Sequence, residues 1–304
     1  MATLQLDSTI PSAALPGIAR FANLAYEKAP EVLGPLFKTI KSNQRTELFA
    51  AIYGIGLMQS VGQGGAHSGD FLGEAYRIEI SPTKYSTGLI MTHDAVINNL
   101  YPNEMINKAS ALGETCAYTK ELVRADVFNN AFSASAYACG DGKEICATDH
   151  PTLAGNVSNE MTTPAALSEQ ALEQSEVDIM AINDFRGLRA NFEAKQLIIP
   201  NVLKFEAERI LKSSLRVDTP DNTVNALKNL NIISDVVMSK HLSSSTKWFR
   251  KTDLRADDGL IFIDREALEI YTYVDNPTRN QIYAAWVNFG TGVINPFALY
   301  GVAA

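Results

Sequence analysis

Cysteine is scarce in this chain. Cys116, Cys139 and Cys146 are the only three in 304 residues, so at least one is unpaired. No CxxC pair exists to begin a zinc site or a redox motif. That usage suits a reducing compartment better than a disulfide scaffold. Basic charge is also in short supply: 26 Lys and Arg against 34 Asp and Glu leave a net charge of -8. This argues against a protein that grips nucleic acid through a basic surface, though not against one that lies beside DNA. No apolar run approaches the ~20 residues of a membrane-spanning helix. The opening MATLQLDSTIPSAALPG has no basic start followed by an apolar stretch, so a secretory signal is not expected. A soluble protein made in a cytoplasm is the expectation. His67, His93, His150 and His241 lie in four separate segments, with no HExxH or His-x-His pair and no GxSxG elbow.

What the chain does have is apolar material. At 46% hydrophobic and 20% charged residues it can bury a sizeable core, as one large domain or two modest ones. Residues 1–50 read as short helical patches broken by Pro11, Pro16, Pro30 and Pro35, an arm that lies on something else. Glycine then crowds the stretch from Gly54 to Gly73, but no Gly-Lys-Ser/Thr closes a phosphate loop, so a mobile loop or hairpin tip is expected. Tyr76, Ile78 and Ile80 alternate with Arg77 and Glu79, the period of a half-buried strand. Ser81-Pro82-Thr83 turns the chain and Lys84 to Met91 reads as the return strand.

Met105, Ala109, Leu112, Cys116, Val123 and Val127 recur at three, four and seven, one face of a helix from about Pro102 to Phe132. Such a helix runs roughly 45 Å at 1.5 Å per residue, long against an average of about 12 residues. Tyr137 to Asn159 reads as a loop region. Thr163-Pro164 looks like the cap and first turn of a helix with Leu167, Ala171, Leu172, Ile179 and Ile182 inward. Gly187 breaks that pattern. Leu197 to Ile199 is a short buried strand, and Pro200 opens a helix with Leu203, Ala207, Ile210 and Leu211 on one face. Asp218 to Asn231 reads as a surface excursion. Strands follow at Val236–Met238, Leu260–Ile263, Leu268–Val274, Ile282–Phe289 and Val293–Leu299, so the class is α+β.

The chemical candidates are few. CATDHPTLAGNVSN, residues 146–159, brings Cys146, Asp149 and His150 within five positions. A nucleophile and base are recognised by spatial geometry and a third orienting group, which sequence proximity does not supply. Pro151 holds His150 extended and Gly155-Asn156 offers a turn, so the stretch also reads as a structural loop. Glu173, Glu176, Asp178, Asp257, Asp258 and Asp264 are spaced like solvated faces and turns, and nothing singles out a catalytic pair. Arg77, Lys84, Arg250, Lys251 and Arg255 read as surface charges that could bridge subunits. Trp248, Phe249, Tyr271, Tyr273, Trp286 and Phe289 read as core or interface. No catalytic, cofactor or metal residue is assigned.

The order of parts carries a resemblance. DHPTLAGNVSN (149–159) is followed by PAALSEQALEQSEVDIMAINDFRGLRANFEAKQLIIPNVLKFEAERIL (164–211), with its helix, Asp-x-x-Gly turn, strand and second helix. TPDNTVNALKN (219–229) and KWFRKTDLRADDGLIFIDREALEIYTYVDNPTRN (247–280) come next. From about Phe71 onward the chain resembles tailed-bacteriophage major capsid proteins with the Hong Kong 97-type fold, and most of all the Mu-like major head subunit family. The resemblance implies an N-terminal arm over 1–50 and an extended loop or hairpin over 51–92. It implies a peripheral domain with a spine helix over 93–163, an axial domain over 164–260, and C-terminal strands over 261–304 returning toward the peripheral domain. It further implies pentamers and hexamers in an icosahedral shell around double-stranded DNA held without sequence specificity. Portal, scaffolding and decoration or cement proteins are the implied partners, with no membrane. The place is the virion, after assembly in the bacterial host cytoplasm. An encapsulin-like nanocompartment shell shares the fold, and a soluble Cys146–His150 hydrolase is the rival of a different class.

Overall fold

The computed structural model describes residues 9–67, 69–94, 102–134, 137–213, 224–254 and 259–304. Its axis is the predicted long helix, here α2 (Pro102–Asn129). One face of α2 lies on a four-stranded sheet of order β1-β10-β11-β4, built from Lys38–Lys41, Leu260–Val274, Gln281–Val293 and Thr83–Met91. Ala109 packs with Met91 and Tyr283, and Leu112 and Cys116 pack with Ala285, so the apolar stripe read from the sequence is the buried one. The C-terminal end of α2 continues past this sheet. There Phe128 meets Phe37 and Phe249, and Phe132 stacks on Phe249.

Phe249 belongs to a second sheet of order β12-β9-β7-β8, from Leu299–Val302, Trp248–Lys251, Gln196–Pro200 and Asp235–Ser239. Strand alternation sends Ile198, Phe249 and Leu299 toward α2. Leu197, Ile199, Trp248, Tyr300 and Val302 take the other face, under α3 (Glu169–Ala181), α4 (Lys204–Lys212) and α5 (Ala226–Leu230). The second sheet is therefore covered on both faces, and its β7 reads as a continuous apolar run for that reason. The C-terminal strands divide: β10 and β11 build the long sheet, whereas β12 is an edge of the second.

Several expectations are corrected. The proline-broken arm contains a single helix, α1 (Thr9–Lys28), running through Pro11 and Pro16. Packing against α2 compensates for the lost backbone bond: Ala22 is fully buried, and a Cβ on Gly113 would run into the Ala22 carbonyl. β3 (Gly73–Ile80) and β4 are consecutive but are not a hairpin. β3 pairs with β2 (Glu47–Tyr53) and β4 with β11, so the projecting element is the β2–β3 ladder and its connection Gly54–Leu72. The helix expected at Thr163 begins at Glu169, where Ser168 Oγ accepts the Ala171 N–H at 3.2 Å. Pro200 ends β7, and a 3₁₀ turn over Asn201–Leu203 precedes α4.

Leu260–Val274 is one strand, not two, with register irregularities between Asp264 and Glu269 that disturb the alternation. Val293–Leu299 is not a strand; it breaks into the end of β11, a 3₁₀ turn at Pro296–Ala298 and the start of β12. The loop at Tyr137–Asn159 contains a small hairpin, β5 (His150–Thr152) with β6 (Gly155–Val157). The polar stretch 218–231 lies partly outside the described residues; what is described is α5, capped by a buried Asn225 whose Nδ2 donates to Ile210 O at 2.6 Å.

Candidate assembly surfaces and the buried histidine loop

The stretch that resembled a catalytic centre is a structural knot. Cys146 is fully buried, and burial pushes its thiol well above the ordinary value, away from the thiolate a nucleophile needs. His150 is 0% exposed and does not face that thiol as a base: its Nδ1 lies 2.6 Å from Asp141 Oδ2 and its Nε2 3.1 Å from Asn159 Oδ1. Asp149 pairs instead with Lys143. Asn159 is the centre of the knot. Its Oδ1 accepts the Ala147 N–H at 2.9 Å, and its Nδ2 donates to the carbonyls of Ile145, Pro296 and Leu299 at 2.7, 2.8 and 3.0 Å. One side chain thus ties the exit of α2 to the last strand. Burial alone would raise the Asp141 carboxyl, but the His150 contact and the Lys143 N–H outweigh it and hold it low.

A second buried network fixes the arm. Glu121 Oε2 accepts the N–H groups of Val32 and Leu33 at 3.2 and 2.9 Å, while its Oε1 takes Arg124 at 2.8 Å. Arg124 also reaches Glu31 at 3.1 Å and lies over the Phe262 ring. Lys120 bonds Asp264 at 3.1 Å and stands over the Tyr26 ring. These charges occupy α2 positions that periodicity assigned to no role; Glu121 and Arg124 pair three residues apart, but their links to Val32, Leu33, Glu31 and Phe262, and that of Lys120 to Asp264, are long-range and carry no local signal. In the second layer Arg250, expected at the surface, is fully buried; it meets Glu176 at 2.6 Å and Ser175 Oγ at 3.1 Å. Asp178 accepts the Tyr300 hydroxyl at 2.6 Å.

The projecting loop is clamped at its base. Asp70 accepts the N–H groups of Gly56 and Phe71, each at 2.8 Å, and forms a two-toothed pair with Arg186. Arg186 also lies over the Tyr53 ring, and Tyr53 stacks on Phe185. The Asp184-x-x-Gly187 turn presents these two residues: Asp184 Oδ1 accepts from Arg186 and Leu188 N–H, and Gly187 takes φ +85°. Beyond the clamp nothing among the described residues covers the loop. Leu57 is 77% exposed, Met58 is fully exposed, and Ile52, Ile55, Phe71 and Leu72 are exposed as well.

Of the remaining candidates, Trp248, Phe249 and Phe289 are core, whereas Tyr271 and Tyr273 are exposed on the long sheet. Lys84 sits 3.9 Å from Glu266, both half exposed. Asp257, Asp258 and Arg255 lie outside the described residues. Among the described residues no group of three or more His, Cys, Asp or Glu is placed to hold a metal ion, and no helix is long and apolar enough to cross a membrane.

A long helix on one sheet, a second sheet shared with the chain terminus, and a clamped projecting ladder define the mixed α+β architecture of Hong Kong 97-type shell proteins. A virus-like particle from Pyrococcus furiosus superimposes with a TM-score of 0.56 at 9% identity, covering 94% of this chain and 98% of the other. The mature capsid of bacteriophage PhiM1 gives a TM-score of 0.56 at 12% identity, covering 90% and 86%. An SrpI encapsulin from Synechococcus elongatus PCC 7942 gives 0.53 at 11% identity, covering 89% and 85%. No curated protein matches the sequence. The model of the phage capsid protein family matches residues 75–302, well over half of the chain, and the chain belongs to that family. It is a major capsid protein, structural rather than enzymatic.

Proposed function

We propose that many copies of this chain close into the icosahedral head of a tailed bacteriophage, as pentamers and hexamers around double-stranded DNA. Family membership supports the shell role. The observation that carries self-assembly is the clamped loop, whose apolar side chains have no cover among the described residues. A neighbouring subunit supplies that cover, so association completes burial that folding leaves unfinished. The ordered matches from 149 to 280 favour the Mu-like major head subunits within the family. We assign the arm to 1–50, the extended loop to 51–92, the peripheral domain to 93–163 and the axial domain to 164–260. Residues 261–304 are shared between them, since β11 completes the long sheet and β12 the second.

A net charge of -8 suits a wall that does not hold its DNA tightly. Portal, scaffolding and decoration or cement proteins are the further partners, with assembly in the bacterial host cytoplasm. The encapsulin likeness keeps a second reading in view: a nanocompartment of the same fold, which would carry enzyme cargo in place of DNA. Electron microscopy of the protein expressed alone, after size-exclusion chromatography, tests the proposal. Closed shells, tubes or five- and six-membered rings are expected. A monodisperse monomer under assembly-promoting conditions would count against it.

A further inference from the structure

The bonding of Asn159 dictates which protons its neighbour His150 carries. Three carbonyls accept from Asn159 Nδ2, and the Ala147 N–H donates to its Oδ1, so the amide has a single orientation. His150 Nε2 therefore faces an oxygen acceptor at 3.1 Å and must hold a hydrogen. On the other side of the ring, Nδ1 lies 2.6 Å from Asp141 Oδ2. A neutral ring with its hydrogen on Nε2 would turn a bare lone pair toward that oxygen. Water does not relieve the conflict, because the side chains of His150 and Asp141 are 0% and 2% exposed. Asp141 keeps its charge, and its Oδ1 also accepts the Lys143 N–H at 3.1 Å.

The remaining groups around the site do not compete for this proton. Burial pushes the Tyr76 hydroxyl and the Cys139 and Cys146 thiols up, so all three are neutral at about pH 7. Phe297 sets its ring edge-on to the imidazole at 6.0 Å. Lys143 and Asp149 pair with each other at the rim, and Glu144, Glu160 and Lys247 lie on the Cys146 side. Among the described residues Asp141 is the charged group bonded to the ring.

We infer that His150 is a doubly protonated imidazolium in the folded chain at neutral pH, and that this buried proton locks the exit of α2 and the base of the projecting ladder to the last strand. The lock reaches the ladder through the β5–β6 hairpin on which His150 sits. Tyr76, from β3, donates its hydroxyl to Pro151 O at 3.1 Å, and Leu153 N–H donates to Phe185 O at 3.0 Å. A Cβ on Gly187 would run into Ala154, so the hairpin bears directly on the turn that presents Arg186 to Asp70. The sign of the pH dependence follows. A histidine in the unfolded chain sheds its extra proton around pH 6.5. The folded site, with a carboxylate against Nδ1, holds it further up. The contribution is therefore complete below about pH 6.5, down to the range where Asp141 itself takes a proton, and is lost as pH rises through the folded titration.

Heteronuclear NMR of the ring nitrogens in the full, unassembled chain reads the proton directly. At about pH 7.5, where a free histidine is largely neutral, His150 is expected to carry hydrogen on both nitrogens. The exposed His67 should carry one and serves as the internal reference. Hydrogen exchange supplies the second readout. Protection of the Ala147 and Leu153 amides, corrected for intrinsic rates, should fall about tenfold between roughly pH 6.5 and 9 in the wild type and stay level in His150→Gln. Should that variant fail to fold, the wild-type ring spectrum decides. A His150 ring with hydrogen on Nε2 alone at that pH, or level protection in the wild type, would overturn the imidazolium lock.

Discussion

The two four-stranded sheets of this protein are of equal strand number and differ in how they are covered. The sheet ending in β12 is covered on both faces, by α2 on one side and by α3 to α5 on the other. Asn159, His150 and Arg250 find buried partners inside the chain, although the Arg250 Nε has no hydrogen-bond partner among the described residues. The long sheet carries α2 on one face; on the other, Ile261 and Ile263 pack with Tyr76 and Ile80 at one end, while Ile90, Tyr271, Tyr273 and Val274 are exposed at the far end. The first sheet finishes its energetics by folding. The second, like the projecting loop, leaves large apolar side chains exposed among the described residues. Substitutions of similar size should therefore divide: those in the closed region change the stability of the single chain, those in the open region change association and leave stability within about 0.5 kcal/mol.

The largest expected effect lies at the knot. Asn159→Leu keeps the branched shape of the side chain but strands the carbonyls of Ile145, Pro296 and Leu299 and the Ala147 N–H. A loss of roughly 4 kcal/mol is expected, from several buried groups left unpaired at 1–3 kcal/mol each with partial relaxation. Urea unfolding of the unassembled chain measures it. A loss below about 1 kcal/mol would mean that the closed region is held by its apolar core alone. Next comes Gly113→Ile, where any Cβ meets the Ala22 carbonyl. Overpacking of this kind costs about 2 to 3 kcal/mol and should lift α1 from α2. Proteolysis that trims the arm of the variant and spares the wild type would show the displacement.

How much of this was legible in the sequence depends on the range of the interaction. α2 was readable because Ala109, Leu112 and Cys116 repeat at helical spacing, and that local period is the buried stripe. The core strands β7 and β11 were readable from their apolar runs. The pairing of β3 with β2 was not. Ser81-Pro82-Thr83 is a turn signal, and a turn between two strands suggests a hairpin, yet the partners are decided by long-range burial of Tyr76 and Ile80. Prolines predicted a broken arm because propensity is local, whereas α1 is held by its contact with α2. In the candidate loop, Cys146, Asp149 and His150 sit close in sequence but bond different partners. The partners of His150, Asp141 and Asn159, each lie nine residues away and look like ordinary loop polars until the fold buries them.

Asp141 sharpens the comparison through pH. Its carboxyl is held low in the folded chain, so the interaction is present above the ordinary aspartate value of about 3.9 and is lost as pH falls through the lowered folded value. Asp141→Asn is expected to be about 2 kcal/mol less stable than wild type at neutral pH, the scale of a hydrogen bond to a charged group. The gap should close below pH 4, read as converging urea midpoints. A gap independent of pH would mean that the carboxylate's charge is not what the site uses.

The smallest effect belongs to the clamp on the open side. Asp70 is held low by Arg186 and by the two N–H groups it accepts, but the pair is near the surface and salt screens it. Asp70→Asn removes the charge and one of the matched oxygens, so the loop base should open more often while the melting transition stays where it was. The readout is hydrogen exchange at Gly56 and Phe71, whose amides bond the carboxylate at 2.8 Å each. Exchange there should quicken roughly tenfold, with no change at Ala147 in the knot, since local opening need not involve the global transition. High salt on the wild type should reproduce part of the effect. If exchange at Gly56 and Phe71 were unchanged, the loop would be aimed by the Tyr53–Phe185 stack instead, and the open region would owe its direction to the same apolar packing that holds the closed one.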